Sequence, residues 1–314
     1  MYYPYFRGKQ FELLTIRETA PLLAKAGFTP IIEPVRESLV GLSKALDAVV
    51  ENGGRAIVVV NPEHGELSRD GQPLSELLES TYLDKPNISA GILLKAETTL
   101  EDARDAYGDH VAHHPTIIHA GFTEAKALAT ELGPFTKDSR HIFIDSKGVK
   151  LYSRHFNTAY RALLRDGFKR QNNKLYPFVE SFSDLHVTFR DEGMDGFGDF
   201  LIVGDDYADG GGLPLVLAIH LTFIDPELDD MMQIYHFKSK EHISQKNPAG
   251  KFLEALTQMM GVLESPKCKV YETEAVEEFR QLFEKRHFPG LGYIKKLSMS
   301  HHIETLARYL DLLR

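Results

Sequence analysis

Eight polar residues stand where chemistry would need them, each at the end of a short apolar run. In chain order they are Lys9, Glu33, Asn61, Lys95, His119, Asp145, Glu180 and Asp205. If the runs are parallel strands of one barrel, their carboxyl ends meet on a single face, where barrel enzymes place their active sites. Glu33, Asp145 and Asp205, with Glu180 and His119 beside them, offer the oxygen and imidazole ligands that Mg²⁺ or Mn²⁺ takes. Without a metal, crowded carboxylates raise one another's pKa and supply a general acid beside a general base. Lys9 and Lys95 would then hold an anionic substrate or, if desolvated, form a Schiff base. A structural role competes with each of these. Loops begin where strands end and are polar for solvation alone, and Lys9 can pair with Glu33 or Glu12 to fix the barrel mouth. The catalytic candidates are thus Lys9, Glu33, Lys95, His119, Asp145 and Glu180, and the metal candidates Glu33, Asp145 and Asp205. Asn61, Glu12, His220 and His236 are binding candidates.

Glu33 is the sharpest of them. It follows Ile31-Ile32 and precedes Pro34, so the strand must end there. If Ile32 faces outward, alternation turns Glu33 toward the barrel axis, where a carboxylate needs a cation or several donors. Lys9, next to the first strand, is the expected partner, with a metal as the alternative.

The elements that must position these residues follow from periodicity. Residues 2–6, YYPYF, read as a strand. Gly8 lets the chain turn, and from Phe11 the apolar spacing shifts to that of a helix ending at Gly27. The unit recurs. Strands are expected at 29–35, 55–62, 88–96, 115–121, 141–145, 176–182 and 200–205. Helices are expected between them, capped by Ser38 and Thr99 and including a long one at 152–168. Near-continuous apolar strands separated by amphipathic helices predict an α/β fold, a TIM-like (β/α)8 barrel over about residues 2–210. Ile32, Val58, Val60, Ile92, Ile118, Ile142 and Phe143 are its expected core. No glycine-rich dinucleotide fingerprint favours the open doubly wound sheet. From Leu215 the pattern becomes a β-hairpin, PLVLAIHLTF and MMQIYHFKS. Helices follow at 249–263, 273–286 and 301–313. The expected division is a barrel with terminal hairpin at 1–237 and a helical extension at 238–314.

Composition bounds the function. The 314 residues are 43% apolar, enough for a sizeable core, and a single cysteine, Cys268, excludes an internal disulfide framework. No apolar run approaches a membrane span and no signal-peptide pattern opens the chain, so a cytoplasmic protein is expected. The net charge of −9 argues against a broad nucleic-acid surface. Residues 238–314 hold 13 Lys and Arg against 10 Asp and Glu, and residues 1–237 hold 23 against 35. The basic tail either packs on the acidic body or presents a face to a partner. Neither G-x-S-x-G nor a closed calcium loop is present; the acidic run 204–212 reads as a solvated loop.

The opening YPYFRGKQFELLTIRE, the PIIEPV strand, VESFSDL, GFGDF at 196–200, and the HLTF and YHFKS strands together resemble the phage beta-protein-like family. The resemblance covers most of residues 2–240. It implies a barrel-like fold without an established activity, and it singles out Lys9, Glu12, Glu33, Arg190, Gly198, Asp199 and His236. It also implies a protein partner encoded nearby, in a phage-defence or mobile-element setting. This chain has GDF where a tyrosine is usual. Two functions remain open. One is a hydrolase or lyase acting on a small anionic substrate, with a phosphoester as one option. The other is a non-catalytic barrel that holds a second, nuclease-like protein.

Overall fold

A computed structural model of the chain describes residues 1–146, 148–210, 212, 214–240 and 246–312. Gly211 of the acidic loop and Leu313 of the last expected helix lie outside the described residues. The elements alternate as expected through the first half. They are β1 (Tyr2–Phe6), α1 (Gln10–Ala26), β2 (Ile31–Ile32), α2 (Val40–Glu51), β3 (Ala56–Val59), α3 (Gln72–Leu77), β4 (Ile88–Lys95), α4 (Leu100–Asp109), β5 (Thr116–Ala120), α5 (Ala125–Leu132), β6 (Arg140–Ile144), α6 (Val149–Ser153) and β7 (Tyr160–Leu164). Then come β8 (Val179–Ser183), α7 (Leu185–Thr188), β9 (Gly196–Asp199), β10 (Ala218–Asp225), β11 (Met231–Lys238), α8 (Pro248–Leu263), α9 (Glu274–Glu284) and α10 (Leu291–Leu312). Thr99 caps α4 as its sequence predicts: its hydroxyl accepts from the Asp102 amide at 3.1 Å while Asp102 accepts from the Thr99 amide. Among the described residues no helix is long and apolar enough to cross a membrane.

Strands β1 to β7 and β9 close a parallel barrel, with β9 between β7 and β1. The expected (β/α)8 barrel is therefore the fold, but its last two strands are not the expected ones. The stretch read as a helix at 152–168 is α6, a turn and then β7. Its Ala, Leu and Arg residues have good helix propensity, and sheet closure overrides it. The expected strand at 176–182 is β8, which pairs antiparallel with β11 and not with the barrel. The expected strand at 200–205 is no strand; Leu201 sits at φ +50, which no strand tolerates. The eighth barrel strand is instead the glycine-rich GFGD of β9. A Cβ on Gly198 would run into the Tyr3 carbonyl oxygen, so glycine is what lets β9 lie against β1.

The described chain divides into two compact units, residues 1–165 with 185–200, and residues 166–184 with 201–314. The division thus does not fall at 237/238. The hairpin strands share one core with the helices that follow, through Leu217, Ile219, Leu221 and Phe237 against Phe252, Leu256, Val276, Phe279 and Leu297.

In the barrel unit, Tyr3, Tyr5, Ile31, Ile57, Val59, Leu93, Ile118, Ile142, Ala162, Leu164 and Phe200 form one cluster. All eight strands contribute, counting Phe200 just past β9. Residues of one parity from every strand of a closed barrel can meet only inside it. Ile118 and Ile142 are therefore interior. Ile32, Val58, Val60, Ile92 and Phe143 are equally buried, on the opposite parity, between the barrel wall and the helices.

Candidate functional site

Glu33 lies two residues beyond Ile31 and so shares its inward side; its side chain is fully buried. Four donors meet the carboxylate. Arg7 forms an ion pair with Oε2, and Tyr5 Oη donates to the same oxygen at 2.7 Å. The amides of Glu63 and His64 donate to Oε1 at 2.9 and 3.2 Å. The Arg7 guanidinium also lies over the rings of Tyr5 and Phe200, 5.0 and 5.6 Å from their centroids. The cation is thus Arg7, not the expected Lys9. Arg7 continues the Tyr3–Tyr5 parity of β1, whereas Lys9 lies past the Gly8 turn at the start of α1. Gly8 has φ +63, and a Cβ on it would come within 3.0 Å of the Glu33 carbonyl oxygen, so this turn requires glycine. Lys9 acts on Glu12 in the first turn of α1. Burial pushes the Glu12 carboxyl above its ordinary range, opposed by the Lys9 charge, and its Oε2 has no hydrogen-bond partner.

The other strand ends are individually engaged. Asn61 bonds the Leu93 backbone both ways, donating to its carbonyl and accepting from its amide at 2.8 Å each, so it extends the β3–β4 ladder by one rung. Lys95 pairs with Glu97 at 2.9 Å. Asp145 takes Arg165 at 2.6 Å. Arg165 also reaches Glu192, which Lys150 holds at 2.6 Å. His119 has the parity opposite to interior Ile118 and so sits on the outer side of the barrel wall, not at the mouth. Its ring stacks on Phe143 at 4.6 Å, and its nitrogens meet Tyr152 Oη at 2.7 Å and His141 Nδ1 at 3.0 Å. Asp199 accepts from Tyr2 Oη at 2.8 Å, also on the outer parity. Arg190 is exposed beyond α7, its guanidinium over the Phe189 ring.

In the second unit, β10, β11 and β8 form a three-stranded antiparallel sheet in that order. His220 faces His236 directly across β10–β11, their Nδ1 atoms 2.7 Å apart, and His236 Nε2 meets Glu180 at 3.1 Å. Lys169 pairs with the other oxygen of Glu180 at 3.5 Å, and Tyr176 stacks on His236 at 4.4 Å. Burial holds both histidines below their ordinary range, His236 at about 4 despite the raising effect of Glu180. Register thus joins three candidates that lie far apart in sequence. The Asp205 amide of this unit donates to Asp166 at 2.9 Å. Among the described residues no three His, Cys, Asp or Glu side chains gather as a metal site, so the expected trio Glu33, Asp145 and Asp205 is not one.

A different feature of the barrel unit is concave and basic. A groove of about 390 Å³ between α1 and α2 is lined by Gly8, Gln10, Arg17, Arg36, Ser38 and Lys44, with Leu13 and Leu14 as apolar wall. Its described lining contains no carboxylate. Arg36 is steadied by Glu66 at 2.8 Å, and Arg17 and Lys44 are exposed. The sequence reading missed Arg7, Arg17, Arg36 and Lys44. Only Arg7 carried a signal, its alternation with Tyr3 and Tyr5.

The fold and this groove define the class, a parallel α/β barrel with a cationic recess beside its mouth. Comparison of the chain with family models, with curated proteins and with solved structures finds no match.

Proposed function

We propose that the protein binds a small, multiply anionic ligand of the phosphorylated class in the groove between α1 and α2. The observation that carries this reading is the gathering of Arg17, Arg36, Lys44 and the Ser38 hydroxyl in one recess, in a chain whose net charge is −9. A local cationic recess on an acidic protein concentrates anions of matching size. The four-donor seal on Glu33 favours binding without chemistry at the barrel axis, because both carboxylate oxygens are already occupied by donors of the protein itself. The hydrolase or lyase reading rests instead on Glu12, whose raised pKa suits a proton donor. The protein partner that the family resemblance implies is compatible with either.

Titration with inorganic pyrophosphate at low salt tests the proposal. Saturable binding that weakens steeply with added salt is expected. The exposed variants Arg17→Glu and Lys44→Glu should each lower affinity tenfold or more. Pyrophosphate binding indifferent to both reversals would overturn the assignment. Loss of turnover, but not of binding, in Glu12→Gln would select the enzyme reading.

A further inference from the structure

The antiparallel sheet of the second unit gives one face to the helices, through Ile219, Leu221 and Phe237. His220 and His236 have the opposite parity and stand on the other face. There a hydrogen-bonded chain runs from Glu180 Oε1 to His236 Nε2 at 3.1 Å, and from His236 Nδ1 to His220 Nδ1 at 2.7 Å. Phe168 and Tyr176 set their rings T-shaped against His220, each with its centroid 5.0 Å away. Lys169 pairs with the other oxygen of Glu180 at 3.5 Å, and Lys238 donates to the Tyr176 carbonyl. All of these residues belong to the second unit.

Geometry fixes the protons along this chain. The Glu180 carboxylate, in an ion pair with Lys169, can only accept, so His236 Nε2 donates to it. At pH 8 a histidine is neutral by its ordinary value alone, and burial lowers His236 further. A neutral His236 that donates from Nε2 accepts at Nδ1, so His220 Nδ1 is the donor between the two rings. The one lone pair left over is on His220 Nε2. His220 is half-buried; its Nε2 bonds no described residue and is not among their sealed polar atoms, so it meets solvent. A base oriented by a carboxylate is the arrangement that activates a nucleophile, here with a second imidazole interposed. The setting is cationic. Lys169 faces Glu180, Lys238 lies beside Tyr176, and the charge of Lys295 bears on His220. Three lysines about one carboxylate draw an anionic reactant toward the open nitrogen.

We propose that His220 Nε2 is a nucleophile that takes a phosphoryl group from a donor of the phosphoramidate class. Its lone pair forms the new N–P bond while the donor's own P–N bond breaks, and that electron pair leaves with the amine. The phosphorylated ring sheds its Nδ1 proton to His236 Nδ1, and His236 passes its Nε2 proton to Glu180. His220 alone touches the donor; His236 and Glu180 are positioning residues. The site lies in the second unit and uses no residue of the α1–α2 groove, so either assignment can fail alone. The probe is phosphoramidate, incubated with the full chain at pH 8 and followed by peptide mass spectrometry under alkaline conditions. The exposed His114, His155 and His287 are references within the same molecule. His220 should be phosphorylated about tenfold or more faster than they are, the scale of acid–base assistance. Glu180→Gln should lower that ratio about tenfold, and Glu180→Asp should restore part of it. Lys295→Glu, an exposed change, should slow phosphorylation of His220 and leave its carbethoxylation by uncharged diethyl pyrocarbonate unchanged. No adduct on His220, labelling shared evenly with the reference histidines, a ratio indifferent to Glu180→Gln, or failure of Lys295→Glu to separate the two reagents would overturn the proposal.

Discussion

Mild acid should destabilise both units, and the size of the effect can be worked from single histidines. His141 in the barrel unit and His301 in the second unit are fully buried, and burial lowers them to about 3 and about 4. In the unfolded chain each returns to about 6.5. The folded form therefore holds neutral imidazole while the unfolded form takes up a proton. The stability this contributes is complete above about pH 6.5 and is lost as pH falls toward the folded value. At about 1.36 kcal/mol per pH unit, each histidine removes roughly 2 kcal/mol between pH 6.5 and 5. His119 and His220 are depressed in the same direction and add to the loss. Glu12 and Glu304 oppose it, since burial raises them and the folded form binds their protons first as pH falls. The depressed histidines, His236 among them, outnumber the two raised carboxyls and leave a net loss of several kcal/mol, a large share of a typical total of about 5–15 kcal/mol. Urea unfolding followed by far-ultraviolet circular dichroism suits a chain without tryptophan. The urea midpoint should fall steadily from pH 7 to 5, and His141→Gln should flatten the slope by about one proton. A midpoint constant from pH 7 to 5 would refute the claim that these histidines are buried and neutral.

Other perturbations have equally definite outcomes. Glu33→Gln leaves Arg7 buried against a neutral amide and should cost about 3–5 kcal/mol, read as a fall in urea midpoint. A variant as stable as the parent would place Glu33 in solvent. Gly198→Ala forces a methyl into the Tyr3 backbone and should cost about 3 kcal/mol, whereas Gly210→Ala, with open space around it, should be close to neutral. Equal melting temperatures for the two glycine variants would show that β9 does not press on β1. Glu180→Gln removes the charge that raises His236 and should move its NMR titration below about 4. An unchanged titration would break the assigned pair.

The first six barrel strands were legible because they are short, near-continuous apolar runs that keep their identity in any register. The last two were hidden for opposite reasons. Arg161 to Arg165 has the composition of a helix and becomes a strand only because the barrel needs one beside β6. Gly196 to Asp199 offers only Phe197 as an apolar signal, since its glycines are there to let Tyr3 approach. Between them, residues 166–184 leave the barrel unit altogether, and no local pattern announces such a departure. The site followed the same logic. Glu33 was legible because proline fixes where its strand ends and Ile31 fixes its face. His119 was misplaced because Ile117 and Ile118 are both apolar, so alternation could not say which of them faces inward. Once Ile118 is interior, His119 must point toward α5 and α6, and the strand-end residue becomes the back of an outer cleft. The pairings of His119 with His141 and of Glu180 with His236 and His220 depend on register between strands, which neighbouring residues alone do not encode. A strand-end polar residue is therefore informative about a barrel mouth only when its parity is independently anchored, as Pro34 and Gly8 anchor Glu33 and Arg7 here.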